Sequence, residues 1–145
     1  MDEDISVGRW LGALHGYARL HFDKVTAPYG IPGPHLHFLM RLYHGDSLSQ
    51  DDLAKFFAVD KATAARAVAK LEKEGYVVRK PDTRDKRIKR VELTEKAKQV
   101  EPALRAALHG WSDTLTEGFT EKERATLVRL LQRMAANAER RVRQS

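Results

Sequence analysis

The chain has 145 residues, 42% hydrophobic and 32% charged, which fits a folded globular body and excludes a disordered chain. Cysteine is absent, which rules out disulfides, thiolate metal sites and cysteine nucleophiles, and the apolar runs are too short to span a bilayer. The net charge of +6 is concentrated: eleven basic and four acidic side chains fall between Lys61 and Arg90, against 15 basic and 16 acidic in the other 115 residues. Confinement of this kind suggests a surface that meets a polyanion.

In chain order, the acidic start Met1-Asp2-Glu3-Asp4 lacks the apolar stretch of a signal peptide, so a cytoplasmic address is expected. Val7, Leu11, Leu14, Ala18, Phe22 and Val25 step by three or four and predict an amphipathic helix over about residues 5–26. Pro28, Gly30, Pro32 and Gly33 break it. Leu36, Leu39, Met40 and Tyr43 then mark a short helix that ends at Gly45. Ser49 with Asp52 reads as a capping box for a helix through Phe57, and Asp60 caps another that stops at Gly75. These two short helices around a tight turn make a helix-turn-helix pattern.

The period changes after Gly75. Tyr76-Val77-Val78 and the alternating Val91 and Leu93 predict two strands around the polar turn Pro81–Lys86, a hairpin with a charged tip. Thr94 caps a long helix with Val100, Leu104, Ala107, Leu108, Trp111 and Leu115 on one stripe, and Pro102 predicts a kink or a break in it. Thr120 with Glu123 caps a last helix striped by Leu127, Leu130, Leu131, Met134 and Ala138.

Three stretches together resemble the MarR family of transcriptional regulators: Leu48-Ser49-Gln50-Asp51-Asp52-Leu53-Ala54, the helix from Asp60 through Leu71-Glu72-Lys73-Glu74-Gly75, and Asp82-Thr83-Arg84-Asp85-Lys86-Arg87 with its Leu93-Thr94 exit. The match is continuous over about Leu48–Lys98. Ala97 stands where the family usually has Gly, and Ala65 where many relatives carry a hydroxyl. The resemblance implies a mostly α fold with a small β-hairpin wing. Residues 31–94 would be a winged helix-turn-helix DNA-binding domain, and 1–30 and 95–145 a helical dimerisation region.

Lys61, Ala62, Thr63, Arg66 and Lys70 lie off the apolar stripe of their helix, and the resemblance makes that helix the major-groove reader. Arg66 is the expected base contact, with Lys61 and Thr63 near the helix start; Lys70 and Gln50 are assigned to phosphate. Arg84, between Asp82 and Asp85, is expected to be held by an ion pair within the loop and to enter a narrow minor groove, flanked by phosphate contacts from Lys86, Arg87 and Lys89. Trp111, Leu115, Leu127, Leu131 and Met134 are the expected homodimer interface. The partner is then double-stranded DNA at a pseudo-palindromic operator, with the protein acting as a repressor.

Relatives that bind phenolic or benzoic acids imply a small aromatic acid as effector. Arg79 matches the arginine that ends their first wing strand; Arg9 beside Trp10, and His37, Arg41 and His44 on one helical face, are further candidates. No catalytic constellation, cofactor or metal site is expected. His35-x-His37 could chelate only if Pro34 kept the segment extended. The alternative is an effector-blind DNA-binding or nucleoid-associated protein, which would bind most duplexes alike.

Overall fold

A computed structural model describes residues 6–45 and 47–144. The acidic segment 1–4, and Ile5 at the expected start of the first helix, lie outside them. Among the described residues six α-helices and three short strands follow one another: α1 (Val7–Thr26), α2 (Leu36–Leu42), β1 (Leu48–Ser49), α3 (Gln50–Phe56), α4 (Lys61–Lys73), β2 (Val77–Pro81), β3 (Lys89–Leu93), α5 (Glu95–Leu115) and α6 (Glu121–Arg143). The fold class is the expected one. Among the described residues no helix is long and apolar enough to cross a membrane.

The local signals act as their chemistry requires. Ser49 and Asp52 form a reciprocal capping box at α3, and Thr120 and Glu123 form another at α6. The Asp60 carboxylate caps α4 by accepting the Thr63 N–H at 2.6 Å. Helix α4 ends in a Schellman motif: Tyr76 N–H donates to the Leu71 carbonyl and Gly75 N–H to that of Glu72, with Gly75 at φ +86. Helix α3 ends in the same motif, Val59 donating to Ala54 and Ala58 to Lys55. There the left-handed residue is Ala58, at φ +53.

Two expectations need amendment. The hairpin is part of a three-stranded antiparallel sheet in the order β1-β3-β2, with Leu48 opposite Val91 and Val77 opposite Leu93. Pro102 does not break α5, which runs continuously through it, so the Lys98 carbonyl loses its usual helical partner.

The chain forms two compact units, Met1–Arg105 and Ala106–Ser145. In the first, the core is built from Leu36, Leu39, Leu42, Leu53, Ala64, Val68, Leu71, Tyr76, Val77, Val91 and Leu104, all buried. Only the C-terminal end of α1 joins this core, through Phe22 and Thr26. The Thr26 hydroxyl lies 2.6 and 2.5 Å from the carbonyls of Phe22 and Ile31 and serves both. Gly33 sits against the α1 backbone, where a Cβ would come within 2.9 Å of the Asp23 nitrogen, and its N–H donates to the Asp23 carboxylate at 2.8 Å. That close approach presses the 3₁₀ turn Gly33–His35 onto α1. In the second unit α6 has no buried residue.

Candidate nucleic-acid interface

Helix α4 buries Ala64, Ala67, Val68 and Leu71 and turns the opposite side to solvent. Lys61, Ala62 and Arg66 are exposed, and Thr63 and Lys70 half-exposed. Arg66 Nη2 donates to the Thr63 hydroxyl at 3.2 Å, which steadies the guanidinium one turn from the helix start. Lys70 is paired with Glu74 at 3.0 Å, and Lys61 only loosely with Asp51 at 3.8 Å. The start of α3 carries Gln50, whose side-chain oxygen accepts from Arg79 at 3.1 Å. Among the described residues its amide nitrogen has no acceptor, which leaves it as a donor.

The wing is organised by Asp82 and Asp85. Asp82 accepts the backbone N–H groups of Arg84 and Asp85 at 3.0 Å each and pairs with Arg90 Nε at 3.0 Å. The Arg90 bond and those two N–H groups hold its carboxyl below the ordinary carboxylate range. Asp85 takes two nitrogens of Arg87, Nε and Nη2, at 3.0 Å each. The ion pair expected for Arg84 is therefore absent. The two carboxylates are committed to Arg90, Arg87 and the turn backbone, and the exposed Arg84 side chain makes no ion pair among the described residues.

Arg90 was not among the expected site residues. It ties the wing to the approach of α3, donating to the Ser47 carbonyl at 3.2 Å and lying 3.9 Å from Asp52. The signal for it is the hairpin register, which puts Lys80 opposite Arg90 and so brings the next residues, Pro81 and Asp82, beside it. The four acids of the basic window, Glu72, Glu74, Asp82 and Asp85, each pair with a cation inside it, while Lys80 pairs with Glu92. Arg66, Arg84, Lys86 and Lys89 make no ion pair among the described residues. The excess positive charge is thus carried by α4 and the wing, on one compact unit.

The expected effector residues scatter. Arg79 makes a strut, its guanidinium on Glu72 at 3.0 Å and on Gln50, and that hydrogen bond lowers the Glu72 pKa. Arg41 lies over the Phe56 ring, 4.9 Å from its centroid, and Arg9 over Trp10 at 5.2 Å. Of these candidates only His37 lines the cavity found in this unit. That cavity, about 410 Å³, is walled by His15, Ala18, Arg19 and Phe22 of α1, Gly33–His35, His37 and Phe38, Phe57 and Val59 of the turn, and Thr63 and Ala67 of α4. His35 and His37 belong to a 3₁₀ turn and a helix, not to an extended segment. Among the described residues no cluster of three His, Asp or Glu could hold a metal ion.

Of the residues expected at a dimer interface, Leu115 and Leu131 are exposed and Trp111, Leu127 and Met134 half-exposed. On α1, Val7, Trp10, Leu11 and Leu14 are exposed as well.

Known proteins are similar to this chain in sequence and in shape. The MarR family model matches residues 31–89. The uncharacterized HTH-type transcriptional regulator YybA of Bacillus subtilis is 40% identical over 103 residues, 71% of this chain and 69% of that protein. A second B. subtilis HTH-type regulator, YdgJ, is 31% identical over 86% of this chain and 76% of its own. The crystal structure of a MarR transcriptional regulator from Methanosarcina mazei superposes with a TM-score of 0.88 at 37% identity, covering 91% of this chain and 95% of that one.

Proposed function

The chain belongs to the MarR family of winged helix-turn-helix, DNA-binding transcriptional regulators, and on that premise we propose that it represses genes as a homodimer on a pseudo-palindromic operator and is released by a small anionic aromatic acid. The observation that carries the DNA half of this reading is the cluster of cations on α4 and the wing, in which Arg66, Arg84, Lys86 and Lys89 make no ion pair among the described residues. Arg66, steadied by Thr63, is suited to a bidentate contact with guanine O6 and N7, with Lys61 and Thr63 beside it. Lys70, Lys86, Arg87, Lys89 and the Gln50 amide are suited to phosphate. Arg84 is suited to the minor groove, because the Asp82 turn beneath it is fixed while its own side chain makes no ion pair among the described residues.

One winged unit reads one half-site, so two copies give the symmetry of the operator. The apolar side chains left exposed on α1, α5 and α6 are what a second copy would cover. The ligand half of the reading rests on the cavity, which has apolar walls, basic groups and no carboxylate among its lining residues.

The test is selection from random duplexes at two salt concentrations. The expected result is one preferred sequence with two-fold symmetry and an affinity that falls steeply with salt. Arg66→Ala is expected to cost about 1–3 kcal/mol at one base position per half-site. Affinity that barely moves with salt overturns the DNA-contact assignments, and equal affinity for every duplex favours an architectural role.

A further inference from the structure

Outside the window Lys61–Arg90 the sequence carries a second concentration of positive charge. Residues 121–145 hold seven basic and three acidic side chains, while 1–60 and 91–120 together hold eight basic and 13 acidic. Six of those seven cations are arginine, against nine arginines and ten lysines in the rest of the chain. All seven belong to α6, which buries none of its residues.

Four of these cations share one face. Lys122 and Arg140 are separated by about five helical turns and point the same way, and Arg129 and Arg133 fall within about 20° of that direction. The stripe Leu127, Leu130, Leu131 and Met134 is centred about 130° round the helix. The row is about 27 Å long, the rise of about eight base pairs of duplex, and all four side chains are exposed. Lys122, Arg129 and Arg133 make no ion pair among the described residues, and Arg140 donates to the Asn137 side chain at 2.6 Å. The acids of α6 are used elsewhere: Glu123 in the capping box, Glu121 beside it in the first turn, and Glu139 on Arg143 at 2.8 Å.

The chemistry of the helix itself does not account for this row. Cations in the last turn, such as Arg140, suit the negative end of the helix dipole, but Arg129 and Arg133 lie about two turns or more from either end and Lys122 lies at the positive end, which opposes it. Arg129 and Arg133 are like charges four residues apart, and the positions three and four away from them hold Ala125, Thr126, Leu130, Gln132, Ala136 and Asn137, none of them acidic. A face arranged against its own local electrostatics suits a partner that supplies the negative charge. Arginine is the side chain that meets phosphate oxygens with two parallel N–H groups. Between the cations the face offers Thr126, Ala136 and Asn137, with no large apolar side chain to enter a bilayer, so a nucleic-acid backbone fits it better than a lipid surface.

We infer that the basic face of α6 is a second, sequence-blind contact for duplex DNA, through which an operator-bound molecule holds another DNA segment by its phosphates. This contact is additional to those of α4 and the wing and needs neither an effector nor the cavity. With the leucine stripe given to a second copy, as proposed above, the opposite face of the same helix is the one left for the duplex. Phosphate contacts carry affinity without reading bases, so the second segment can have any sequence and its capture should fall steeply with salt.

The experiment uses the full chain. The duplex preferred in the random-duplex selection is immobilised and saturated with protein, and capture of a fluorescent duplex lacking that sequence is measured at several salt concentrations. The wild type is expected to capture it. Arg129→Gln with Arg133→Gln should lower capture at least about tenfold and flatten its salt slope by about two, while affinity for the immobilised duplex stays unchanged and shows that the variant is folded. Arg143→Gln removes a charge from the same helix but off the row, where Glu139 already pairs with it, and should leave capture near the wild-type level. Capture that is absent in the wild type, or equal in the wild type and the paired variant, overturns the second contact, and so does a loss as large in Arg143→Gln as in Arg133→Gln alone. Binding to vesicles of phosphatidylserine and phosphatidylcholine that the paired variant loses, without duplex capture, overturns it in favour of a lipid surface. A paired variant that dimerises more weakly and captures as well as the wild type assigns the face to a second copy. In each of these cases the operator contacts of α4 and the wing stand or fall separately, on binding to the immobilised duplex.

Discussion

The two compact units use their apolar residues in opposite ways. In residues 1–105 the apolar positions of α4 and most of those of α2 and α3 are buried within the chain, while α1 buries only Phe22 of its stripe, and the wing, α3 and α4 are cross-tied by Arg79 and Arg90. In residues 106–145 the helix α6 has a regular stripe of leucines and buries none of them; Leu131 is 42% exposed. Equal periodicity thus has two outcomes. A stripe states that a helix needs a partner, and only the three-dimensional arrangement states whether that partner is in the same chain.

That contrast can be broken in four places. The largest effect is expected at the centre of the first unit: Leu71→Ala empties a fully buried site and should cost about 2–5 kcal/mol in denaturant unfolding. Next, Leu131→Asp should act on assembly, raising the dissociation constant of the proposed homodimer at least about tenfold by sedimentation and making the thermal midpoint less dependent on protein concentration. If it instead lowers stability as Leu71→Ala does, at every concentration, α6 packs within its own chain and the contrast fails.

A smaller change, in the opposite direction, is expected at Ala58. It occupies the left-handed position of a Schellman motif that glycine fills at residue 75. Ala58→Gly should therefore stabilise the first unit by about 0.5–1 kcal/mol, less the extra freedom glycine has when unfolded, with no effect on dimerisation. A destabilised Ala58→Gly variant would show that the turn holds no strain.

The smallest effect concerns pH. His35 and His37 have pKa values below the ordinary 6.5, mainly through burial. Between that value and their lower folded values the unfolded chain binds more protons, so stability present above pH 6.5 is lost as pH falls through this window. Denaturant midpoints should decline from pH 7 toward pH 5, and His35→Phe should flatten the decline.

Most of the fold was legible because it rests on local chemistry. Ser49 with Asp52, Asp60, Gly75 and Thr120 with Glu123 are short-range patterns whose hydrogen bonds close within one turn of chain. Strand β1 was not legible: two residues, Leu48 and Ser49, carry no period, and only the pairing with Val91 and Arg90 makes them a strand. In the candidate interface, the outward positions of α4 follow from its apolar stripe. The partners of Asp82 and Asp85 do not. Asp82 lies beside Arg84 in sequence, but the antiparallel ladder brings Arg90 to it, and the turn uses the carboxylate for its own N–H groups. The cavity depends on Gly33 approaching α1 and on the Gly33–His35 turn and α4 sharing its lining. Those are long-range facts with no pattern along the chain.

The three-stranded sheet is open on both sides, and an open β edge is an invitation to a strand from another molecule. Here each edge is made a poor template. β1 offers only two residues, too few for a stable ladder. β2 offers Val77 and Val78 but then Arg79, Lys80 and Pro81, two charges and a residue without an N–H. A molecule whose leucine-striped helix faces solvent is thereby free to associate through helices without also growing into β-linked aggregates.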